Sequence, residues 1–238
     1  MTITALVRVD LSWAAVWGVA TIALWLAARN WNCRSPKPFP YALSWLLRLP
    51  RIGQSARQLK RVLQPRRGER LFDVGPGIGT HALPIAASLA PNGLLILLDV
   101  QREMLNEIER RAAKAGTTNI RSTDGDATKL PYVNQAFDGA YLIGVLGEIP
   151  DQDAALREIR RILKPHGRVV IGELFVDPDF STLSSVRDRM KRAGFVFRNK
   201  VGIAPAYLAR FRAGSSASDG EDAGGVTRRA RRENDAGP

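Results

Sequence analysis

An α/β fold, with a parallel sheet sheathed by helices and closed by an antiparallel hairpin, is predicted by three observations on this 238-residue chain. From Glu69 onward, short apolar runs alternate with runs of helical periodicity, the pattern of a parallel sheet covered on both faces. The last two apolar runs, Phe195–Val201 and Ala206–Arg212, are separated by only a few residues including Gly202 and Pro205. A parallel crossover needs a dozen or more residues, so this pair must be antiparallel. The third observation is Leu71–Ala82, reading Leu-Phe-Asp-Val-Gly-Pro-Gly-Ile-Gly-Thr-His-Ala. A buried-type run closes on Asp73, glycines fall at 75, 77 and 79, and helical spacing (Ala82, Leu83, Ile85, Ala86, Leu89) follows, the order strand, tight turn, helix.

The elements can be justified in order. Leu11–Ala28 is 18 residues without a charge, with Ser12 and Thr21 as its polar side chains, and Trp13, Trp17, Trp25 and Trp31 lie in or near it. That is the lower limit for a membrane-spanning helix, with aromatic residues towards its ends. A cleavable signal peptide is the main rival, but Asp10 offsets Arg8 and a large residue falls where the small −3 residue belongs. A buried soluble helix is the third reading. Arg29, Arg34 and Lys37 follow the run, with Arg48, Arg51 and Arg57 soon after, which places that side in the cytoplasm by the positive-inside tendency. Residues 1–37 are thus read as a membrane anchor and linker, single-pass in the cell membrane, with the remainder cytoplasmic.

Pro36–Pro40 reads as a stiff linker. Residues 38–68 form a basic amphipathic segment, with Trp45, Leu46, Leu49, Ile52, Ala56, Leu59 and Leu63 at helical intervals and Pro50 and Gly53 dividing it into two helices. One face can cover the core while the other is attracted to anionic lipid, at roughly 1 kcal/mol per basic residue. In the domain at 69–212, strands are predicted at Arg70–Val74, Leu94–Asp99, Ile120–Thr123, Phe137–Ile143 and Gly167–Leu174, before the closing pair. Helices are predicted at Thr80–Leu89, Arg102–Ala115, Asp151–Leu163 and Thr182–Ala193. From Ala213 the chain is Gly-, Ser-, Asp- and Arg-rich, and residues 213–238 read as a disordered tail.

The net charge of +12 resembles that of a nucleic-acid binder until it is mapped. Residues 29–70 hold eleven Lys and Arg against Glu69 alone, whereas residues 71–212 carry a net charge of only +3. The excess is one segment and not a face of the domain, so no nucleic-acid partner is expected. One cysteine, Cys33, excludes an intrachain disulfide and a Cys-based zinc site, and no metal is expected.

Glycine at 75, 77 and 79 permits positive φ and lets a ligand lie against the main chain, beside the unpaired N–H groups of the helix start. Gly77, Gly79 and Ala82 also fit the dinucleotide variant G-x-G-x-x-A, but the first glycine after the strand is Gly75, and Asp73 would be unwelcome beside phosphates. Three carboxylates fall at strand ends: Asp73, Asp99 and Asp126, where open α/β sheets bind ligands. Asp99, 24 residues beyond Gly75, can accept both ribose hydroxyl protons, and Asp126, in Asp-Gly-Asp-Ala after the third strand, can accept from an exocyclic adenine amine.

With an acidic residue before G-x-G-x-G, Phe137-Asp138 opening the fourth strand and Arg157–Gly167 reading like the helix and turn before the fifth, the chain resembles the class I S-adenosylmethionine-dependent methyltransferases. The likeness covers Glu69–Arg212 and comes nearest the broad quinone and small-molecule group, of methyltransferase type 11. The resemblance implies a Rossmann-like sheet and S-adenosyl-L-methionine as cofactor. It sets Asp73, Gly75, Gly77 and Gly79 at the methionine part, Asp99 at the ribose, Asp126 and Ala127 at the adenine, and Gln101 and Met104 on the adenine's other side. Pro76, Val100 and Gly125 complete the expected binding set.

Methyl transfer mainly needs alignment of the nucleophile, and an oxygen or carbon nucleophile can also need a base. Glu148, after the fourth strand, is the best-placed candidate, ahead of Glu173 and Tyr207. His81 is read as a solvent-facing or capping residue and His166 as a turn residue. The expected activity is methyl transfer to a lipid, quinone or other hydrophobic small molecule at the cytoplasmic membrane face. The alternatives are an NAD(P)-dependent oxidoreductase and a non-catalytic S-adenosylmethionine-binding module. Oligomeric state has no signal in the sequence.

Overall fold

The computed structural model describes residues 37–48 and 53–214, together with residues 13, 15–21, 23, 24, 26, 27 and 30, which are helical. The expected span at 11–28 therefore lies partly outside the described residues, and the expected disordered tail lies outside them from residue 215. Among the described residues no helix is long and apolar enough to cross a membrane.

Seven strands form one sheet: β1 (Arg70–Val74), β2 (Leu94–Asp99), β3 (Ile120–Asp124), β4 (Phe137–Ile143), β5 (Leu163–Leu174), β6 (Phe195–Ile203) and β7 (Ala206–Ala213). Their order is β3-β2-β1-β4-β5-β7-β6. β1 to β5 are mutually parallel, and β7 runs antiparallel to both β5 and β6, as the short Gly202–Pro205 connection requires. The chain leaves β1 towards β2 and β3, then returns to lay β4 on the other side of β1. The resulting switch point opens a crevice at the carboxyl ends of β1 and β4.

Five α-helices cover the sheet: α1 (Ala56–Leu63), α2 (Ala82–Leu89), α3 (Arg102–Lys114), α4 (Gln152–Ile162) and α5 (Leu183–Arg192). Strand alternation divides their load. Leu71, Leu95, Leu97, Tyr141, Val170 and Leu208 meet Leu59, Leu63, Ile85, Leu89 and Ile108 of α1 to α3. Phe72, Val74, Leu98, Leu142 and Ile171 face the opposite way, onto Leu156, Ile159, Val186 and Met190 of α4 and α5.

α1 begins with a capping box, Ser55 and Gln58 each bonding the other's backbone N–H, which satisfies two end groups at once. The segment before it divides as Pro50 and Gly53 suggest, since Tyr41–Arg48 is a 3-10 helix separate from α1. Most boundaries fall within two residues of expectation, and two starts are instructive. α2 starts at Ala82 because Thr80 and His81 complete the turn. β5 starts at Leu163 and not Gly167: Phe137 pairs with Leu163 and Gly139 with Arg168, so β5 bulges across residues 164–167, where His166 takes φ +62°.

Candidate active site

The loops after β1, β2, β3, β4 and β5 surround a cavity of about 970 Å³ at the carboxyl edge of the sheet, the size of a small-molecule site. The floor is built by register. Asp73 of β1 pairs with Tyr141 of β4 in the parallel ladder, so their side chains emerge together on the α1–α3 face. Both are buried and line the cavity. Burial holds the Asp73 carboxyl well above the usual range and the nearby charge of Asp99 adds to this, against the lowering influence of the Tyr141 hydroxyl. Apart from their interaction with each other, neither Asp73 Oδ2 nor Tyr141 OH has a hydrogen-bond partner in the chain, so the pair is suited to meet a polar group from outside it.

The glycine turn forms one wall. Gly75 has φ +63°, and a Cβ there would lie 2.1 Å from Val145 Cγ2, so any side chain would collide with the loop after β4. Gly75 and Gly77 line the cavity with Pro76 between them. Gly79 is placed differently. It is outside the lining, and a Cβ on it would be 3.1 Å from Ile108 Cγ2, so its role is to let the turn settle on α3.

Asp99 ends β2 with 9% of its surface exposed. Its Oδ1 accepts from Gln101 N at 2.9 Å, yet burial pushes its pKa up to about 6. Val100, Gln101, Met104, Gly125, Asp126 and Ala127 also line the cavity, and Asp126 Oδ1 additionally accepts from Thr128 N at 2.8 Å. All the sequence-predicted binding residues except Gly79 are therefore brought to one cavity.

Glu148 closes a short 3-10 helix, Leu146–Glu148, and faces the same cavity. Burial pushes its carboxyl up to about 8, with Asp179, Asp99 and Asp177 adding to the effect and the Phe39 N–H opposing it. Glu173 and Tyr207 do not line the cavity. Glu173 Oε2 accepts from Ser181 N at 2.9 Å and Tyr207 OH donates to Ser181 O at 2.8 Å, so both hold the loop after β5. Their weaker candidacy as a base gives way to that role.

Several lining residues escaped the sequence reading. Residues 37–40, read as a linker, form a strap over the cavity. One residue, Phe39, ties its two walls: its N–H donates to Glu148 Oε2 at 3.1 Å and its carbonyl accepts from Gln101 Nε2 at 2.9 Å. Leu47 and Gln54 also line the cavity, and Gln54 is 1% exposed with Oε1 unbonded. His81 is half-buried and occupies the N-cap position of α2, but its side chain does not cap the helix. Its Nε2 lies 2.7 Å from Gln54 O, an acceptor that requires the ring N–H there, and the ring lines the cavity. The alternation of proline around Phe39 was a usable signal for the strap; Tyr141 needed the β1–β4 register, which no local pattern encodes.

A seven-stranded sheet with an antiparallel final hairpin, and an acid-rimmed cavity beside a glycine turn, are the features of the class I S-adenosylmethionine-dependent methyltransferase fold. The spare acceptors at Asp73 and Asp99 fit that donor, whose amino group and ribose hydroxyls are hydrogen-bond donors. The ubiE/COQ5 methyltransferase family profile matches residues 51–190, more than half of the chain, and the chain belongs to that family. It is 36% identical over 124 residues to a ubiquinone/menaquinone biosynthesis C-methyltransferase UbiE of Coxiella burnetii, a match covering 52% of this chain and 49% of the relative. The chain thus spans about half the length of the curated relatives it matches. A crystal structure of a SAM-dependent methyltransferase from Aquifex aeolicus superposes with TM-score 0.67 at 18% identity, over 73% of this chain and 98% of that one. The [4+2]-cyclase SpnF superposes with TM-score 0.61 at 19% identity, over 68% and 80%, a likeness of fold alone. Family membership displaces the dinucleotide-dependent oxidoreductase alternative.

Proposed function

We propose that this protein transfers a methyl group from S-adenosylmethionine to a hydrophobic small molecule of the quinone or lipid class, with Glu148 as proton acceptor. The observation that carries this reading is one cavity whose lining combines carboxylates at strand ends with apolar side chains. Its lining holds the glycine turn, Asp73, Asp99 and Asp126 together with Phe39, Val145, Ile149, Pro150 and Val176, and Glu148 among them feels the charges of Asp179, Asp99 and Asp177. S-adenosylmethionine, when bound, supplies a methyl already activated on a sulfonium sulfur. The chain's own part is to orient and to manage a proton. Asp73 Oδ2 suits the donor's ammonium group, Asp99 its ribose hydroxyls and Asp126 its adenine amine, with Gln101 and Met104 beside the base.

A carboxyl that burial pushes up to about 8 is suited to accept a proton from a hydroxyl on the acceptor. The names of the UbiE relatives favour a ring-bearing acceptor of the quinone class. The apolar, tryptophan-containing run at 11–28 and the basic residues after it support a single-pass anchor in the cell membrane, with this domain on the cytoplasmic side.

The test is incubation of the purified full chain with methyl-labelled donor and a membrane lipid extract, over a range of pH. Label is expected in the lipid phase, with a rate that rises through an apparent pKa near 8, and Glu148→Gln is expected to lose about 10²–10⁴-fold in rate while still binding S-adenosylhomocysteine. Label confined to water-soluble acceptors would overturn the substrate class. An unchanged pH profile in Glu148→Gln would remove Glu148 from the chemistry.

A further inference from the structure

We propose that the carboxyl edge of the sheet docks on an anionic bilayer surface, so that the mouth of the active-site cavity opens directly onto lipid. The inference rests on the hydrophobic-acceptor reading and adds to it where the acceptor enters. It begins from where the large exposed apolar side chains lie. The 3-10 helix over the cavity turns Leu47 inwards, where its carbonyl accepts from Thr80 Oγ1, and leaves Tyr41, Leu43 and Trp45 41%, 43% and 57% exposed. Val100, after β2, and Val176, after β5, are exposed while lining the same cavity. Ile203 is exposed at the tip of the β6–β7 hairpin, and that tip meets the carboxyl end of β5 through the Leu174–Ala206 pairing. Apart from the N-terminal helix, only Val133 and Val196 among the described large apolar residues are exposed at the opposite edge.

A rim of this kind around one pocket is more than the scatter normal on a soluble surface. Its content of Tyr, Trp and aliphatic residues suits the boundary between headgroups and acyl chains. Charge specifies the lipid. Beside the mouth, Arg57, Lys60 and Arg61 line a shallow depression of about 510 Å³, and Ala56 belongs to both this depression and the main cavity. Three cations on the flank of an apolar rim complement anionic headgroups, each contributing through proximity to the surface potential. The N-terminal helix enters the chain upstream of the same rim, and its Trp13, Trp17 and Leu24 are exposed, so the two apolar surfaces can share one bilayer.

The test uses the full chain with Cys33→Ser and single cysteines carrying an environment-sensitive fluorophore. Leu43→Cys and Ile203→Cys report on the rim, and Val133→Cys and Val196→Cys on the opposite edge. Each variant is checked for S-adenosylhomocysteine binding, then floated with phosphatidylcholine vesicles, with or without phosphatidylglycerol, whose acyl chains bear nitroxides. Rim labels are expected to shift to the blue and to be quenched several-fold more than labels at 133 and 196. Phosphatidylglycerol should strengthen the contact, and Arg57→Gln, Lys60→Gln and Arg61→Gln should each weaken it about fivefold. Floating protein with rim labels as aqueous as the controls would overturn docking and leave the acceptor reading standing. Protein that does not float would overturn both the docking and the anchor. A concentration-dependent blue shift without vesicles would show that a second copy covers the rim, and would also overturn the proposal.

Discussion

The two edges of this sheet treat carboxylates in opposite ways. At the amino edge the half-buried acids Glu69 and Asp138 each have a cation partner. Glu69 forms a two-point pair with the Arg168 guanidinium. Burial alone would raise Asp138, but it accepts from Arg70 N at 2.9 Å and from Lys164 Nζ at 2.6 Å, and these hold it below the usual range. At the carboxyl edge Asp73, Asp99, Glu148 and Glu173 are all pushed upward, burial being the largest cause for each. No cation figures among the groups that perturb these four. Paired charges hold the first edge, whereas at the second Asp73, Asp99 and Glu148 face the cavity without a cation. The same strands serve both ends, so the difference lies in the side chains at their termini and not in the backbone.

The largest expected effect comes from breaking the paired edge. Arg168 is 9% exposed and also donates to the Leu63, Gln64 and Asp138 carbonyls. Arg168→Met would leave Glu69 and those carbonyls without their donor, at a cost of about 3–5 kcal/mol in urea denaturation. S-adenosylhomocysteine binding by the folded fraction should change by less than about twofold, since sites this far apart are close to independent. A hundredfold loss of binding without loss of stability would erase the proposed division between edges.

Asp99→Asn makes the complementary cut. Hydrogen bonds to a charged group are worth about 1.5–3 kcal/mol, so binding of S-adenosylhomocysteine should weaken by one to two decades, with no loss of stability at neutral pH, since burial raises the Asp99 pKa. The pH dependence sharpens the point. In the unliganded protein Asp99 titrates at about 6, and ribose hydroxyls donate to its ionised form. Affinity should therefore rise as pH increases through about 6 and level off above it, and the Asn variant should lack that step in titration calorimetry.

What was legible in the sequence follows the same geography. Strand ends are written locally: Asp73, Asp99 and Asp126 each close or follow an apolar run, and Gly75 to Gly79 mark the turn between strand and helix. Hence all but one of the expected binding residues line the cavity. Gly79 differs because a glycine can be required by packing, here against Ile108, as well as by a ligand. Residues brought in by register or by long-range closure were not legible. Tyr141 reaches Asp73 only because β4 pairs with β1 in that alignment, and Phe39 reaches Glu148 across 109 positions. His166, expected in the turn before the fifth strand, lies instead within the bulged start of β5, where it takes φ +62°.

The smallest effect expected is also the least intuitive, a gain in stability from removing an acid. Glu173 is 3% exposed; its Oε2 accepts from Ser181 N and its Oε1 has no partner. Its pKa is raised to about 8 in the folded protein, against about 4.3 in an unfolded chain. Between those values the folded state binds more protons than the unfolded one, so stability is fully present below about pH 4.3 and is lost as pH rises towards 8. Glutamine keeps an oxygen for the Ser181 N–H and cannot ionise. Glu173→Gln should therefore be nearly neutral at about pH 4 and more stable than the parent above pH 8, by at least about 1 kcal/mol, in chemical denaturation at each pH. Asp138→Asn at the other edge provides the mirror image. There the folded pKa is depressed, so the contribution is present at neutral pH and lost on acidification, and the variant should be weaker at pH 7 and equal to the parent in acid. If both variants shifted stability in the same direction with pH, the contrast between the two edges would not be electrostatic in origin.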